Sequence, residues 1–217
     1  MLIYFIRHSE TAWNALGRLQ GESDVPLSDQ GKKLAELTAK TLSLIRFDKV
    51  IISPSVRAKE TAEIIAGRKA AMETDERIRE ITWGDWDGLT AAQIKDLGKK
   101  KEFDLFYANP FQFKGAPGGE TIRQVCQRGE SFFQDLTARD EWKDDTILVV
   151  THGCAVRGIL NHLYDDPSDF WQGGVPANCS TTIVKWENGK SRFIEKDRVY
   201  YDQNLIHNHY MLDENIV

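Results

Sequence analysis

Apolar residues fall along this chain in two alternating rhythms, short strand-length runs and longer stretches spaced three or four apart. Met1 to Ile6 is apolar throughout and stops abruptly at Arg7-His8. A run of that length bounded by charge reads as a buried strand emptying into a loop. Phe47 to Ile52, with Val50-Ile51-Ile52 at its heart, reads as a second strand and stops at Ser53-Pro54-Ser55. Thr146 to Thr151 is the clearest strand, continuous and β-branched, and stops at His152-Gly153. Ala71 to Ile78 reads as a weaker strand ending at Arg79-Glu80-Ile81.

Helical spacing separates these runs. Leu34, Leu37, Leu42 and Ile45 predict a helix from a turn at Pro26 and Asp29 to about Arg46, and a second spans about Val56 to Ala66. Ala91 to Tyr107 is helical in pattern through Ile94, Leu97, Phe103 and Phe106, with Lys99-Lys100-Lys101 on a solvated face. Glu120 opens a helix to about Arg139 with Val125, Phe132, Phe133 and Leu136 as its stripe, and another runs from about Ala155 to Tyr164. Two late strands, Ser180 to Trp186 and Arg192 to Val199, flank Glu187-Asn188-Gly189-Lys190, where Asn-Gly signals a hairpin.

This alternation predicts an α/β fold with a largely parallel central sheet and helices on both faces. No repeat, low-complexity tract or linker interrupts it, so residues 1–217 read as a single domain. Trp83 to Gly88 and Asn109 to Gly119 are rich in Gly, Asp and Pro and read as loops. The segment at about 88–119 is expected to cover the site, and a polar tail is expected from about 201. His207 and His209 in that tail read as solvated rather than metal-binding.

Composition narrows the function. A net charge of −5 and a pI of about 5.6 argue against broad nucleic-acid or anionic-membrane binding, yet permit a small positive pocket. The amino-terminal apolar run is too short for a signal peptide and nothing approaches a membrane span. Three scattered cysteines, Cys126, Cys154 and Cys179, form no CxxC pair, so a reducing cytoplasm is the expected location.

Parallel strands bring their carboxyl ends to one edge, where open α/β sheets hold their chemistry. That edge would gather Arg7-His8, Ser53 leading to Arg57, Glu80, and Thr151-His152-Gly153. Arg57 falls in the first turn of its helix, where a cation opposes the dipole, so solvent or a bound anion must compensate it. Two arginines, two histidines and a glutamate suit phosphoryl transfer through histidine. Guanidinium groups grip a dianionic ester, a neutral imidazole attacks phosphorus, and a carboxylic acid protonates the leaving oxygen. No metal or other cofactor is required by this scheme. P-loop, GxGxxG, HExxH and GxSxG patterns are absent from the sequence, and Cys154 lacks an Arg-rich phosphate loop after it.

Arg7-His8-Ser9-Glu10-Thr11 with Trp13-Asn14 resembles the opening motif of the histidine phosphatase, or phosphoglycerate-mutase-like, superfamily. The resemblance continues in order through Gln20-Gly21, Asp24, Pro26-Leu27-Ser28 with Gly31, Ser53-Pro54 with Arg57-Ala58 and Thr61-Ala62, and Arg79-Glu80 with Gly84, Trp86 and Gly88. Pro117-Gly118-Gly119-Glu120-Thr121 and Thr151-His152-Gly153 complete it, over roughly residues 2–200. It implies a three-layer α/β/α sandwich and a phosphohistidine on His8. It also implies that Arg7, Arg57 and His152 complete the phosphate pocket, that Glu80 is the acid/base, and that Asn14, Gln20, Gly21 and Gly153 contact substrate. Ser9 stands where the family usually has Gly, adding a hydroxyl within reach of the phosphate.

Arg79 to Gly88 resembles the phosphatase branch rather than the Glu-Arg-x-Tyr-Gly run of the mutases, so a metal-independent phosphatase acting on small phosphorylated metabolites is expected. A cofactor-dependent phosphoglycerate mutase and a non-catalytic phospholigand-binding domain are the alternatives. Phe103, Phe106, Tyr107, Phe111 and Phe113 are either substrate contacts or the core of the covering segment. Trp171 and the acidic tail are candidates for a homodimer contact.

Overall fold

Ile3 and Phe5 are buried on one side of the first strand and Tyr4 and Ile6 on the other. That strand therefore lies inside a sheet covered on both faces. The structure is a computed structural model and describes residues 1–205. Its strands are β1 (Leu2–Arg7), β2 (Lys49–Ile52), β3 (Met72–Thr74), β4 (Thr146–Thr151), β5 (Thr181–Glu187) and β6 (Lys190–Arg198). They form one sheet in the order β3-β2-β4-β1-β5-β6, parallel from β3 to β1 and antiparallel at β5 and β6. The helices are α1 (Ala12–Ala15), α2 (Asp29–Thr41), α3 (Val56–Ala66), α4 (Ala91–Asp96), α5 (Lys100–Ala108), α6 (Ile122–Thr137) and α7 (Gly153–Leu160).

Side-chain alternation along the central strands builds the layers. Ile3, Phe5, Ile147 and Val149 pack on Phe132, Phe133 and Leu136 of α6 and Val156, Ile159 and Leu160 of α7. Tyr4, Ile6, Val50, Ile52, Leu148 and Val150 pack on Ala58 and Ala62 of α3, on the other face. α2 lies beside α3, burying Leu34 and Ala35. The expected three-layer sandwich with a largely parallel sheet is what forms. A further apolar cluster, from Leu19, Ile81, Trp83 and Trp86 through Phe103, Phe106, Phe113 and Ile122 to Phe170 and Trp171, stands over the carboxyl edge.

Several boundaries differ from the sequence reading, each for a local reason. The strand expected over Ala71 to Ile78 is only three residues long, because Asp75 turns the chain by accepting from the Arg77 amide at 2.8 Å and a short 3₁₀ turn follows. Gly98 at φ 74° splits the expected Ala91–Tyr107 helix, leaving Leu97 exposed. α2 stops at Thr41, with Leu37 and Ile45 on its outer side. The hairpin forms as read, with Asn188 and Gly189 both at positive φ (52° and 72°), as the primed turn requires. Lys99, Lys100 and Lys101 are exposed, the first two paired with Glu102 and Asp104. Tyr201, expected in a polar tail, is instead buried and bonded through its hydroxyl to the Asn178 carbonyl. His207, His209 and the acidic end of the tail lie outside the described residues.

No described helix is long and apolar enough to cross a membrane. All three cysteines are free; Cys154 and Cys179 are buried and Cys126 half-buried.

Candidate active site

β1 ends at Arg7, and the chain beyond it is pinned by the His8 amide donating to the Thr151 carbonyl of β4 at 2.8 Å. The parallel pairing of Arg7 with Thr151 sets His8 next to His152. Their ring centroids are 5.1 Å apart at 62°. His8 Nδ1 lies 2.7 Å from the Ser9 carbonyl oxygen. A carbonyl only accepts, so Nδ1 carries the proton and Nε2 carries the lone pair. Burial, with Arg57 and Arg7 adding to it, pushes the His8 imidazole well below its ordinary pKa and keeps it neutral. His152 is lowered in the same way, first by burial and then by Arg57. Its Nε2 is 2.7 Å from Ser53 Oγ at the end of β2, and its buried Nδ1 has no partner among the described residues.

Arg57 is buried to 1% exposure in the first turn of α3, so solvent does not compensate it. Its terminal nitrogens donate to the carbonyls of Ser23 and Gly21, each at 2.9 Å, while its Nε is buried without a partner among the described residues. The two-pronged grip on phosphate expected of Arg57 is thus directed at backbone, and Nε is the donor left over. Arg7, also buried, donates to the Pro176 carbonyl. Gln20 accepts from the Thr11 hydroxyl at 2.8 Å and keeps a buried, unpartnered Nε2. Asn14 spends its carbonyl oxygen on Thr11, whose hydroxyl caps α1. Orphaned buried donors are rare and costly. Three of them, on Arg57, His152 and Gln20, belong to this one region.

Glu80 follows the 3₁₀ turn rather than ending a strand. Its carboxylate accepts from the amides of Ile81 at 2.9 Å, Ala155 at 3.1 Å and Cys154 at 3.2 Å, which seats it on the first turn of α7. Arg128 of α6 donates to the carbonyls of Arg77 and Arg79 at 2.7 Å and of Glu80 at 3.1 Å, and its Nε and Nη2 both donate to the Glu120 carboxylate. Gly84, at φ 51°, lets the Pro117 carbonyl come where a Cβ would sit at 2.1 Å, so the Pro-Gly-Gly-Glu segment closes on the Glu80 loop.

Arg7, His8, Asn14, Gln20, Glu80 and Gly153 line one cavity. Glu80 also faces a second opening, which His152, Gly21, Ser53 and Arg79 line. Arg57 is not itself among the residues that line either opening. Ser9 turns its hydroxyl to the Gly31 carbonyl at 2.6 Å and its amide to Thr61 at 3.0 Å, away from the phosphate side where the sequence reading put it. Trp171, read as a candidate dimer contact, is buried within the chain against Phe106, Tyr107 and Phe170, its Nε1 donating to the Phe106 carbonyl at 2.9 Å. Of the five covering aromatics, Phe106 and Tyr107 line the cavity; Phe103 and Phe113 pack behind Trp83, and Phe111 packs on Phe170. Sequence reasoning missed Leu19, Trp83, Trp171 and Val175 as lining residues, and Asp87 and Arg128 as supports.

A neutral buried imidazole beside buried cations and donors, with a carboxylate in the same cavity, is an arrangement suited to phosphoryl transfer on an α/β sandwich. Residues 3–197 match the histidine phosphatase superfamily (branch 1), and the chain belongs to that family. It is 31% identical over 191 residues to phosphoserine phosphatase 1 of Hydrogenobacter thermophilus, spanning 87% of this chain and 88% of that one. An acid phosphatase of Mycobacterium tuberculosis is 33% identical over 86% of this chain and 87% of its own. The structure of YhfR from Bacillus stearothermophilus superposes with a TM-score of 0.84 at 34% identity, covering 91% of this chain and 97% of that one. These relationships favour a phosphoric monoester hydrolase over a mutase.

Proposed function

We propose that this protein hydrolyses small phosphate monoesters, without metal, through a phosphohistidine on His8. The observation that carries this reading is the His8 tautomer, with Nδ1–H spent on the Ser9 carbonyl and a neutral ring beside His152 and the arginines. Nε2 attacks phosphorus and the bond to the ester oxygen breaks. Charge spreading over the phosphoryl oxygens falls on Arg7, on Arg57 Nε, on His152 and on the Gln20 amide. Glu80 in its acid form gives its proton to the departing oxygen. It then takes a proton from water as that water attacks phosphorus. The P–N bond breaks, its electrons return to Nε2, and inorganic phosphate leaves. A mutase must hold its phosphohistidine away from water; here Glu80 faces a second opening beside His152, which suits hydrolysis.

The test is to incubate the protein with a radiolabelled monoester in chelator and quench it in alkali, where phosphohistidine persists. Label on wild type, its loss in His8→Ala together with turnover, and full activity in chelator are expected. Ordinary turnover by His8→Ala, or activity restored only by magnesium, would overturn the proposal.

A further inference from the structure

The cavity that His8 opens into is lined by two kinds of side chain. Arg7, His8, Asn14, Gln20 and Glu80 are the polar ones. Leu19, Trp83, Phe106, Tyr107, Trp171 and Val175 supply an apolar and aromatic wall. Among the described residues, the only lining side chains that carry full charge are Arg7 and Glu80, and the phosphoryl chemistry already uses both. The wall is also preformed. Trp83 packs on Phe106 at 4.6 Å and Phe106 on Trp171 at 5.1 Å, and the one indole donor of Trp171 is spent inside the wall on the Phe106 carbonyl. Trp83, Phe106 and Trp171 are each less than a tenth exposed and are backed by Phe103, Phe113 and Phe170, so they cannot swing aside to admit a charged partner.

A leaving group bearing a carboxylate would lose its water here with no cation to receive it except Arg7, and would approach Glu80. One bearing an ammonium would find Glu80 alone, which must hold a proton at that moment. Either desolvation is costly when unpaired. A flat apolar group would instead bury its surface against rings already in place. We infer that the substrate class of this site is a phosphate monoester of an uncharged, apolar alcohol or phenol of about single-ring size, and that Val175 and Tyr107, the half-buried members of the wall, set that preference. The inference rests on the phosphatase reading and goes against phosphoserine, the substrate that the name of the Hydrogenobacter relative implies for that enzyme.

The test compares kcat/KM for 2-phenylethyl phosphate with those for O-phosphoserine, 3-phosphoglycerate and phosphocholine. All four leave as primary alkoxides, so acid assistance is required of every one. The expected result is a preference of about tenfold or more for the phenylethyl ester, the scale for burying one ring's worth of apolar surface. Val175→Lys, which puts a cation at the wall, is expected to lower that ratio by raising kcat/KM for 3-phosphoglycerate. Faster hydrolysis of phosphoserine, 3-phosphoglycerate or phosphocholine by wild type overturns the inference and leaves the phosphatase reading standing. No phosphate release from any of the four defeats both. If Val175→Lys fails to fold, the wild-type ratio decides alone.

Discussion

Asp87 and Arg57 hold the same two residues, Gly21 and Ser23, one by their amides and the other by their carbonyls. Asp87 accepts from the amides of Gly21 at 2.6 Å and Ser23 at 2.9 Å, and Arg57 donates to the carbonyls of the same residues at 2.9 Å each. Asp87 also receives the Ser23 hydroxyl at 2.5 Å. The loop is squeezed against the acid segment, since a Cβ on Gly21 would stand 2.6 Å from the Ile81 carbonyl. Arg57 is thereby fixed with its Nε free, and its charge is balanced through the loop by a carboxylate it does not touch; Glu80, Asp87 and Asp24 all favour its charged form against the effect of burial.

This geometry predicts coupling. Arg57→Ala removes one transition-state donor and should lower kcat by about 10²–10³. Asp87→Asn keeps the shape but gives the Gly21 and Ser23 amides a weaker, half-blocked acceptor, and should lower kcat by about tenfold. The double variant should be no worse than Arg57→Ala, because Asp87 acts only through Arg57. Steady-state kinetics of the three variants settles it; fully additive losses would separate Asp87 from Arg57.

The sequence reveals the ends of β1, β2 and β4 because each is an apolar run that breaks on a polar residue, and parallel packing leaves only one edge for those ends. Arg57 is legible by its misfit, a cation in the first turn of a helix. Glu80 is legible by pattern only as the end of a weak strand, which the structure lacks because Asp75 turns the chain first, and its role as acid comes from the family resemblance. Asp87 and Arg128 leave no signal at all. Each acts on backbone amides or carbonyls from far along the chain, and such contacts impose no spacing or periodicity. Trp171 misleads for a related reason, since an aromatic after a run of polar residues reads as surface until Phe106 is known to lie over it.

Arg128 carries a second prediction. It grips three carbonyls around Glu80, so it should act as a positioning residue for the acid. Arg128→Lys keeps the charge and loses the planar fork. It should lower kcat by about tenfold for 2-phenylethyl phosphate, whose alkoxide needs a proton, and by much less for p-nitrophenyl phosphate, whose leaving group does not. Glu120→Gln, which releases the other side of Arg128, should shift the two substrates in the same unequal way. Equal losses on both esters would mark a structural role only. Thermal unfolding measured alongside separates a merely destabilised variant from a misaligned one.

The two histidines predict how stability depends on pH. Both are buried, and both have native pKa values well below 6.5, with burial the largest cause and Arg57 the next. In the unfolded chain each takes up a proton near pH 6.5. Below that value the unfolded state therefore binds more protons than the native state, and stability falls as pH falls, by up to about 1.4 kcal/mol per pH unit for each histidine. The loss begins near pH 6.5 and continues until the native pKa values are reached; above pH 7 these two groups contribute no slope. Denaturant melts of wild type between pH 7.5 and pH 5 should show this acid limb, and His8→Asn and His152→Asn should each flatten it by one group's worth. Nitrogen-edited NMR of the wild type at pH 6 should show His8 still neutral with its proton on Nδ1, the state in which Nε2 can attack phosphorus. A His8 signal that titrates near pH 6.5, or variants whose acid limb matches wild type, would mean that the ring is not held in its attacking form by burial and by the two arginines.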